Sequence, residues 1–160
     1  LVDPGTQTGA ADPAGISDIH VEAALTAIMD CEDSVAAVDA ADKVLAWGNW
    51  LGLMRGDLTA PVTKGGTSTL RRLNPDATYH AAGGGEMAVR CRALLWVRTV
   101  GHLMTTPAVL DAAGQEVPEG LLDALVTVTA ALHDLRRDGG PRNSATGAVY
   151  VVKPKMHGPQ

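Results

Sequence analysis

Residues 93–100 (ALLWVRTV) form an apolar run broken only by Arg98 and Thr99, and this run constrains the fold more than any other stretch. It is too short for a buried helix and the right length for a strand covered on both faces. Such strands belong to parallel sheets, whose neighbours are joined by crossovers, usually helices. Two further runs fit the same sheet. Ala27, Ile28 and Met29 lead into Asp30-Cys31-Glu32-Asp33-Ser34. They read either as a strand with a polar tip or as the tail of a short helix that Ser17 caps and that carries Ile19, Val21, Ala24, Leu25 and Ile28; the strand is preferred. Residues 148–152 form a third, β-branched run that passes into Lys153-Pro154-Lys155.

Helical stripes separate these runs. Val44, Leu45, Trp47, Leu51 and Met54 recur at helical spacing across residues 40–54, and Gly56 supplies a stop. Val117-Pro118-Glu119-Gly120 opens a second helix with proline in its first turn. Leu121, Leu122, Leu125, Val128, Ala131, Leu132 and Leu135 carry its apolar stripe, and Asp138-Gly139-Gly140-Pro141 ends it. Residues 57–85 differ in character: Gly65-Gly66 separates two runs as in a hairpin, and Gly83-Gly84-Gly85 makes a second break. Residues 1–15, rich in Pro, Gly, Asp and Thr, read as a loop or linker. Strand, helix, strand, helix, strand predicts an α/β fold of parallel βαβ units. A closed eight-stranded barrel takes about 200 residues or more, so three such strands imply an incomplete one. The chain begins with Leu, and residues 157–160 closely follow the last run, so both ends are expected to be internal to a longer chain.

Composition narrows the function. With 13 Lys+Arg against 18 Asp+Glu the formal net charge is -5, which argues against nucleic acid as a partner. No apolar run approaches the roughly 18 residues that span a bilayer. The first 12 residues have neither a basic region nor an apolar core, so the expected compartment is the cytoplasm, with no membrane partner. Cys31 and Cys91 read as buried thiols, and Trp47, Trp50 and Trp96 as core. The five histidines show no metal-binding spacing.

Polar residues mark the carboxyl ends of all three strands: Glu32 and Asp33, Arg98, and Lys153. In barrels of parallel strands the chemistry sits at that end, so the three point to one shared site. Arg98 is the sharpest signal, because a buried guanidinium costs several kcal/mol unless an anion or carboxylate meets it. The residues leave open whether that partner is a bound anion or the acidic cluster itself. Asp30, Glu32 and Asp33 can hold a hard cation or orient water, or can simply face solvent. Lys153 and Lys155 read either as a grip for a phosphate or carboxylate or as solvated charges. Gly83-Gly84-Gly85 lacks the Gly-Lys-Ser/Thr of a phosphate loop and reads as a turn.

Four stretches resemble the malate synthases of the large G type. They are Asp30-Cys31-Glu32-Asp33-Ser34-Val35-Ala36-Ala37-Val38-Asp39, Asn49-Trp50-Leu51-Gly52-Leu53-Met54, Arg98-Thr99-Val100-Gly101-His102-Leu103-Met104 and Val152-Lys153-Pro154-Lys155-Met156-His157-Gly158-Pro159. The resemblance runs along the whole chain. It implies α/β architecture, an incomplete TIM (β/α)8 barrel of about three βα units with a small β-rich insertion. Residues 1–56 and 93–160 would be barrel, and residues 57–92 part of an inserted α/β domain. It also implies condensation of acetyl-CoA with glyoxylate and hydrolysis of the thioester to malate and CoA, in the glyoxylate cycle. The complete enzyme would use Mg²⁺ and be monomeric.

By the match, Arg98 binds glyoxylate and faces the enolate oxygen. Glu32 lies beside the metal and its waters, with Asp33 in support. Ser34 contacts acetyl-CoA, Arg71 reaches the CoA phosphates and Lys153 lines the site. The family's metal-binding carboxylates and aspartate base follow the His-Gly-Pro motif, so the 160 residues alone are expected to be inactive. Gly48 stands where the family has Arg, Thr99 where it has Asn, Cys91-Arg92-Ala93 where it has Gly-Arg-Ser, and Ala145 where it has Arg. A non-catalytic remnant and one half of a split barrel are the alternative readings.

Overall fold

Asp39 starts the first long helix: its backbone is extended and its carboxylate accepts from the amide of Asp42, filling one donor left free in the first turn. At the other end Gly56 has φ 75°, the left-handed cap that glycine adopts without strain. Residues 1–19, 26–156 and 158 are described in the computed structural model. In chain order the elements are α1 (Gln7–Ala11), β1 (Thr26–Asp30), α2 (Ala40–Arg55), β2 (Thr59–Lys64), β3 (Thr67–Arg72), β4 (Ala77–His80), β5 (Glu86–Val89), β6 (Leu94–Arg98), β7 (Thr105–Leu110), β8 (Glu116–Pro118), α3 (Glu119–Leu135) and β9 (Val151–Val152).

The three expected strands form one sheet in the order β1-β6-β9, with both pairs parallel. Thr26 lies opposite Leu94 and Asp30 opposite Arg98, so the two strands end level with each other. Helices α2 and α3 are the crossovers, and they pack together. The core between sheet and helices is Met29, Cys31, Trp50, Met54, Val97, Ala130 and Ala131. Trp50 is 1% exposed, and its indole N–H donates to the Thr127 carbonyl at 2.9 Å. The small side chains Ala130 and Ala131 face this core, where α3 approaches the large indole.

Three antiparallel hairpins lie outside this sheet among the described residues. β2 and β3 meet across Gly65 and Gly66, both at positive φ, as the tight hairpin turn requires. β4 and β5 flank the Gly83-Gly84-Gly85 break. The β7–β8 hairpin was not foreseen: its turn is closed by the Asp111 carboxylate, which accepts from the amides of Ala113 and Gln115, both at 2.8 Å.

Several expectations need correction. Residues 1–15 are not plain linker, since α1 folds there and Val2 bridges Ile16. The Ser17 hydroxyl donates to the Leu1 carbonyl instead of capping a helix, and residues 20–25 of the alternative helix lie outside the described residues. β9 is only two residues long, and Val151 is exposed, so the third strand is not a buried one. Within β6 only Val97 is fully buried, and Leu95, on the same face of the strand, packs against the core while partly exposed.

The helices are turned from their most apolar faces. α2 buries Lys43, Ala46, Trp50 and Met54 while Val44 and Leu45 are exposed. α3 buries Asp123, Thr127, Ala130, Ala131 and Asp134 while Leu121, Leu125 and Val128 are exposed. Hydrogen bonding sets this rotation. Asp134 accepts from the amides of Asn143 and Ser144, and Asp123 from that of Val100, so both aspartates must face inward.

Trp50→Ala is expected to cost about 3–5 kcal/mol in urea unfolding, whereas Val44→Ala should stay within about 0.5 kcal/mol. Equal losses at the two positions would refute the assigned face of α2.

Candidate active site at the strand ends

Arg98 is the last residue of β6 and Asp30 the last of β1, and the parallel register sets them side by side. The guanidinium NH1 pairs with Asp30 Oδ2 and reaches Asp33 Oδ2 at 3.1 Å; NH2 lies 3.7 Å from Glu32 Oε2. Asp30 also shapes the turn that follows it. Its Oδ1 accepts from the amides of Glu32 at 2.8 Å and Asp33 at 3.2 Å, and this local capping swings both carboxylates back towards Arg98. The Cys31 amide donates to the Arg98 carbonyl at 2.9 Å, extending the ladder one step past the strands.

The fifth charge comes from beyond β9. Lys155 Nζ is 2.8 Å from Glu32 Oε1. To reach it, Lys155 adopts φ 58° and lays its stem over Gly101, where an added Cβ would stand 2.8 Å from Lys155 Cδ. Glu32 Oε2 is buried and makes no hydrogen bond among the described residues. Three carboxylates therefore surround two cations. The hydrogen bond from Lys155 holds the Glu32 carboxyl below the usual range, and the hydrogen bond that Arg98 donates to Asp30 raises the Arg98 pKa further.

The other expected residues are placed as follows. Ser34 lies on the same turn, its amide donating to the Asp30 carbonyl at 3.3 Å and its hydroxyl 3.9 Å from Met29 sulfur. Lys153 turns away from the acids and donates to the Val100 carbonyl at 2.5 Å, close against Gly120. Arg71 is exposed on β3, opposite Ala60, with no side-chain hydrogen bond or ion pair to the Arg98 cluster among the described residues. Thr99 is buried, and a side chain at Gly48 would meet open space. The thiols differ. Cys31 is fully buried, and burial pushes its pKa up to about 12, whereas Cys91 is only half-buried, contrary to expectation. Trp50 is core as expected, while Trp47 and Trp96 are half-buried.

Sequence reasoning missed a second charged cluster directly beneath. Lys43 is buried with its Nζ 2.6 Å from Glu119 and 3.1 Å from Asp123. Its signal was present in two places: a lysine three residues before the buried Ala46, and an aspartate inside the leucine-rich stripe of α3.

The comparisons follow this geometry. The family model described as the malate synthase TIM barrel domain matches residues 94–160. The chain is 54% identical over 157 residues to malate synthase G of Halalkalibacterium halodurans, covering 98% of this chain and 22% of that protein. Malate synthases G of Corynebacterium efficiens and Corynebacterium glutamicum are each 46% identical over 159 residues, covering 99% of this chain and 21% of theirs. The chain thus spans about a fifth of the length of these relatives. No helix among the described residues is long and apolar enough to cross a membrane.

Two measurements check the site. Lys155→Met should raise the Glu32 midpoint in a carboxyl-carbon NMR titration. Because the folded value is depressed, the stabilisation from Glu32 is present above its unfolded pKa and lost as pH falls through the folded one. With a thiol reagent at mildly alkaline pH, Cys91 should react and Cys31 should not; rapid labelling of both would contradict the burial of Cys31.

Proposed function

We propose, for a chain related to malate synthase G along nearly its whole length, that the Arg98 cluster is the glyoxylate-binding wall of a malate synthase active site. The observation that carries this reading is a guanidinium whose NH1 holds Asp30 and Asp33, while three of its five N–H groups, on Nε and NH2, make no hydrogen bond among the described residues. Those donors suit a planar carboxylate.

The reaction joins acetyl-CoA and glyoxylate and hydrolyses the thioester to malate and CoA. A base takes a proton from the acetyl methyl, and negative charge then grows on oxygen. Arg98 suits that charge: it stays protonated at any working pH, and its pairing with Asp30 fixes its position in advance. Glu32, held ionised by Lys155, and Asp33 orient the guanidinium. Ser34, on the rim of the same turn, would contact acetyl-CoA. Arg71, exposed on β3, would meet a CoA phosphate.

Mg²⁺ fits only in part. The excess of carboxylate, and a Glu32 Oε2 that makes no hydrogen bond among the described residues, suit a hard cation nearby. Yet among the described residues no group of three or more His, Cys, Asp or Glu could hold a metal ion. The described residues by themselves do not provide a Mg²⁺ site. Glu32 offers one oxygen, and the remaining ligands would have to come from outside the described residues. The exposed groove between α2 and α3, lined by Val44, Trp47, Leu51 and Leu125, suits burial against further polypeptide, and the family resemblance favours a cytoplasmic, monomeric enzyme.

Glyoxylate titrated into the chain and followed by NMR should perturb the residues around Arg98. Arg98→Gln should weaken binding by about ten- to a hundredfold, the size of one charge-assisted contact. The chain alone should form no malate from acetyl-CoA, glyoxylate and Mg²⁺. Glyoxylate affinity indifferent to Arg98→Gln would sink the proposal.

A further inference from the structure

We infer that Lys43 and Asp123 are positioning residues for this site, clamping the backbone just past the ends of β1 and β6 and so fixing where Glu32 and Arg98 stand. The inference rests on the reading of the Arg98 cluster given above.

Asp123 is fully buried and uses both oxygens. Oδ1 accepts from Lys43 Nζ at 3.1 Å and from the Trp47 indole at 2.9 Å; Oδ2 accepts from the Val100 amide at 3.0 Å. Lys43 Nζ also donates to the Cys31 carbonyl at 3.0 Å and pairs with Glu119. Beyond the helices themselves, these bonds end on two residues. Cys31 lies between Asp30 and Glu32, and Val100 lies two places after Arg98. The Cys31 amide bonds the Arg98 carbonyl, and Lys153 holds the Val100 carbonyl from the side of β9. One charge pair, shared between α2 and α3, thus fixes both strand ends.

Stability alone does not call for such a pair. Apolar residues of similar volume in place of a buried ion pair generally serve stability as well or better. A charge pair with directed oxygens and N–H groups adds specified position, which matters where contacting groups must sit within about 0.5 Å of a working geometry. Here the groups are those of Arg98 and Glu32, and the clamp reaches them through one and two peptide units.

The test uses the full 160-residue chain with Lys43→Met/Asp123→Leu, which removes both charges at similar volume, and separately Asp123→Asn and Glu119→Gln. Amide hydrogen exchange at Trp50 and Val97 reports whether the core is intact. Two readouts follow that a purely structural role would leave alone: the guanidinium NMR signals of Arg98, which report hindered rotation while it is held by Asp30 and Asp33, and glyoxylate affinity.

With the core intact, the double variant should free the Arg98 guanidinium and weaken glyoxylate binding about tenfold, the scale seen when an orienting partner is lost. An intact core with both readouts at their original values would overturn the inference. If the double variant does not fold, Asp123→Asn and the part-exposed Glu119→Gln decide by the same criteria. If the unsubstituted chain binds no glyoxylate, the functional reading fails, and the Arg98 signals alone decide the positioning role.

Discussion

A guanidinium at the last residue of a central strand cannot be left among apolar neighbours, and the pairing of Arg98 with Asp30 is the answer on which the rest of the arrangement depends. Because β1 and β6 are parallel, their last residues come level, and the register that pairs Thr26 with Leu94 also pairs the two charges. A slip of one residue would set Arg98 beside Met29 or Cys31 and turn every side chain of β1 to the opposite face of the sheet. The same carboxylate then folds the next turn, since its second oxygen collects the amides of Glu32 and Asp33. Sheet register and site geometry are one constraint met by one aspartate.

Much of the frame was legible in the sequence because it depends on local signals. Uninterrupted apolar runs placed β1 and β6, Gly56 stopped α2, and paired glycines marked the first hairpin. The rotation of the helices was not legible. Apolar periodicity pointed to Leu121, Leu125 and Val128 as the buried stripe, yet α3 is oriented by Asp123 and Asp134, whose partners lie at Val100, Asn143 and Ser144. Leaving a buried carboxylate or amide unpaired costs more than exposing leucine, so the polar residues decide the face. That information is non-local: nothing in the neighbourhood of residue 123 announces that the amide of residue 100 needs an acceptor.

The site shows the same division. Arg98 and the acidic turn were conspicuous as charges in or beside apolar strands, and of the two readings of Arg98 the ion pair with the acidic cluster is the one observed. Arg98 makes the structural ion pair with NH1, while Nε and NH2, the latter 3.7 Å from Glu32, donate no hydrogen bond among the described residues. Which lysine joins them was hidden. Lys153 and Lys155 flank one proline and look equivalent, but the left-handed backbone at Lys155 and the bare surface of Gly101 send only the second towards Glu32. Lys153 instead holds the Val100 carbonyl, so two neighbouring cations do different work at the same strand end.

The charges form two layers, and their order is informative. In the lower layer Lys43 meets Asp123 and Glu119 with little access to solvent, every oxygen of Asp123 is taken, and the backbone of both strand ends is tied down. In the upper layer Arg98 and Lys155 meet three carboxylates, and Glu32 Oε2, 3.7 Å from the guanidinium, makes no hydrogen bond among the described residues. A saturated network is rigid and has nothing left to offer a ligand, while an unsaturated one is costly until something binds. Saturation below and open valence above is the arrangement expected of a site whose position is set by the protein and whose last contacts are left to what enters it.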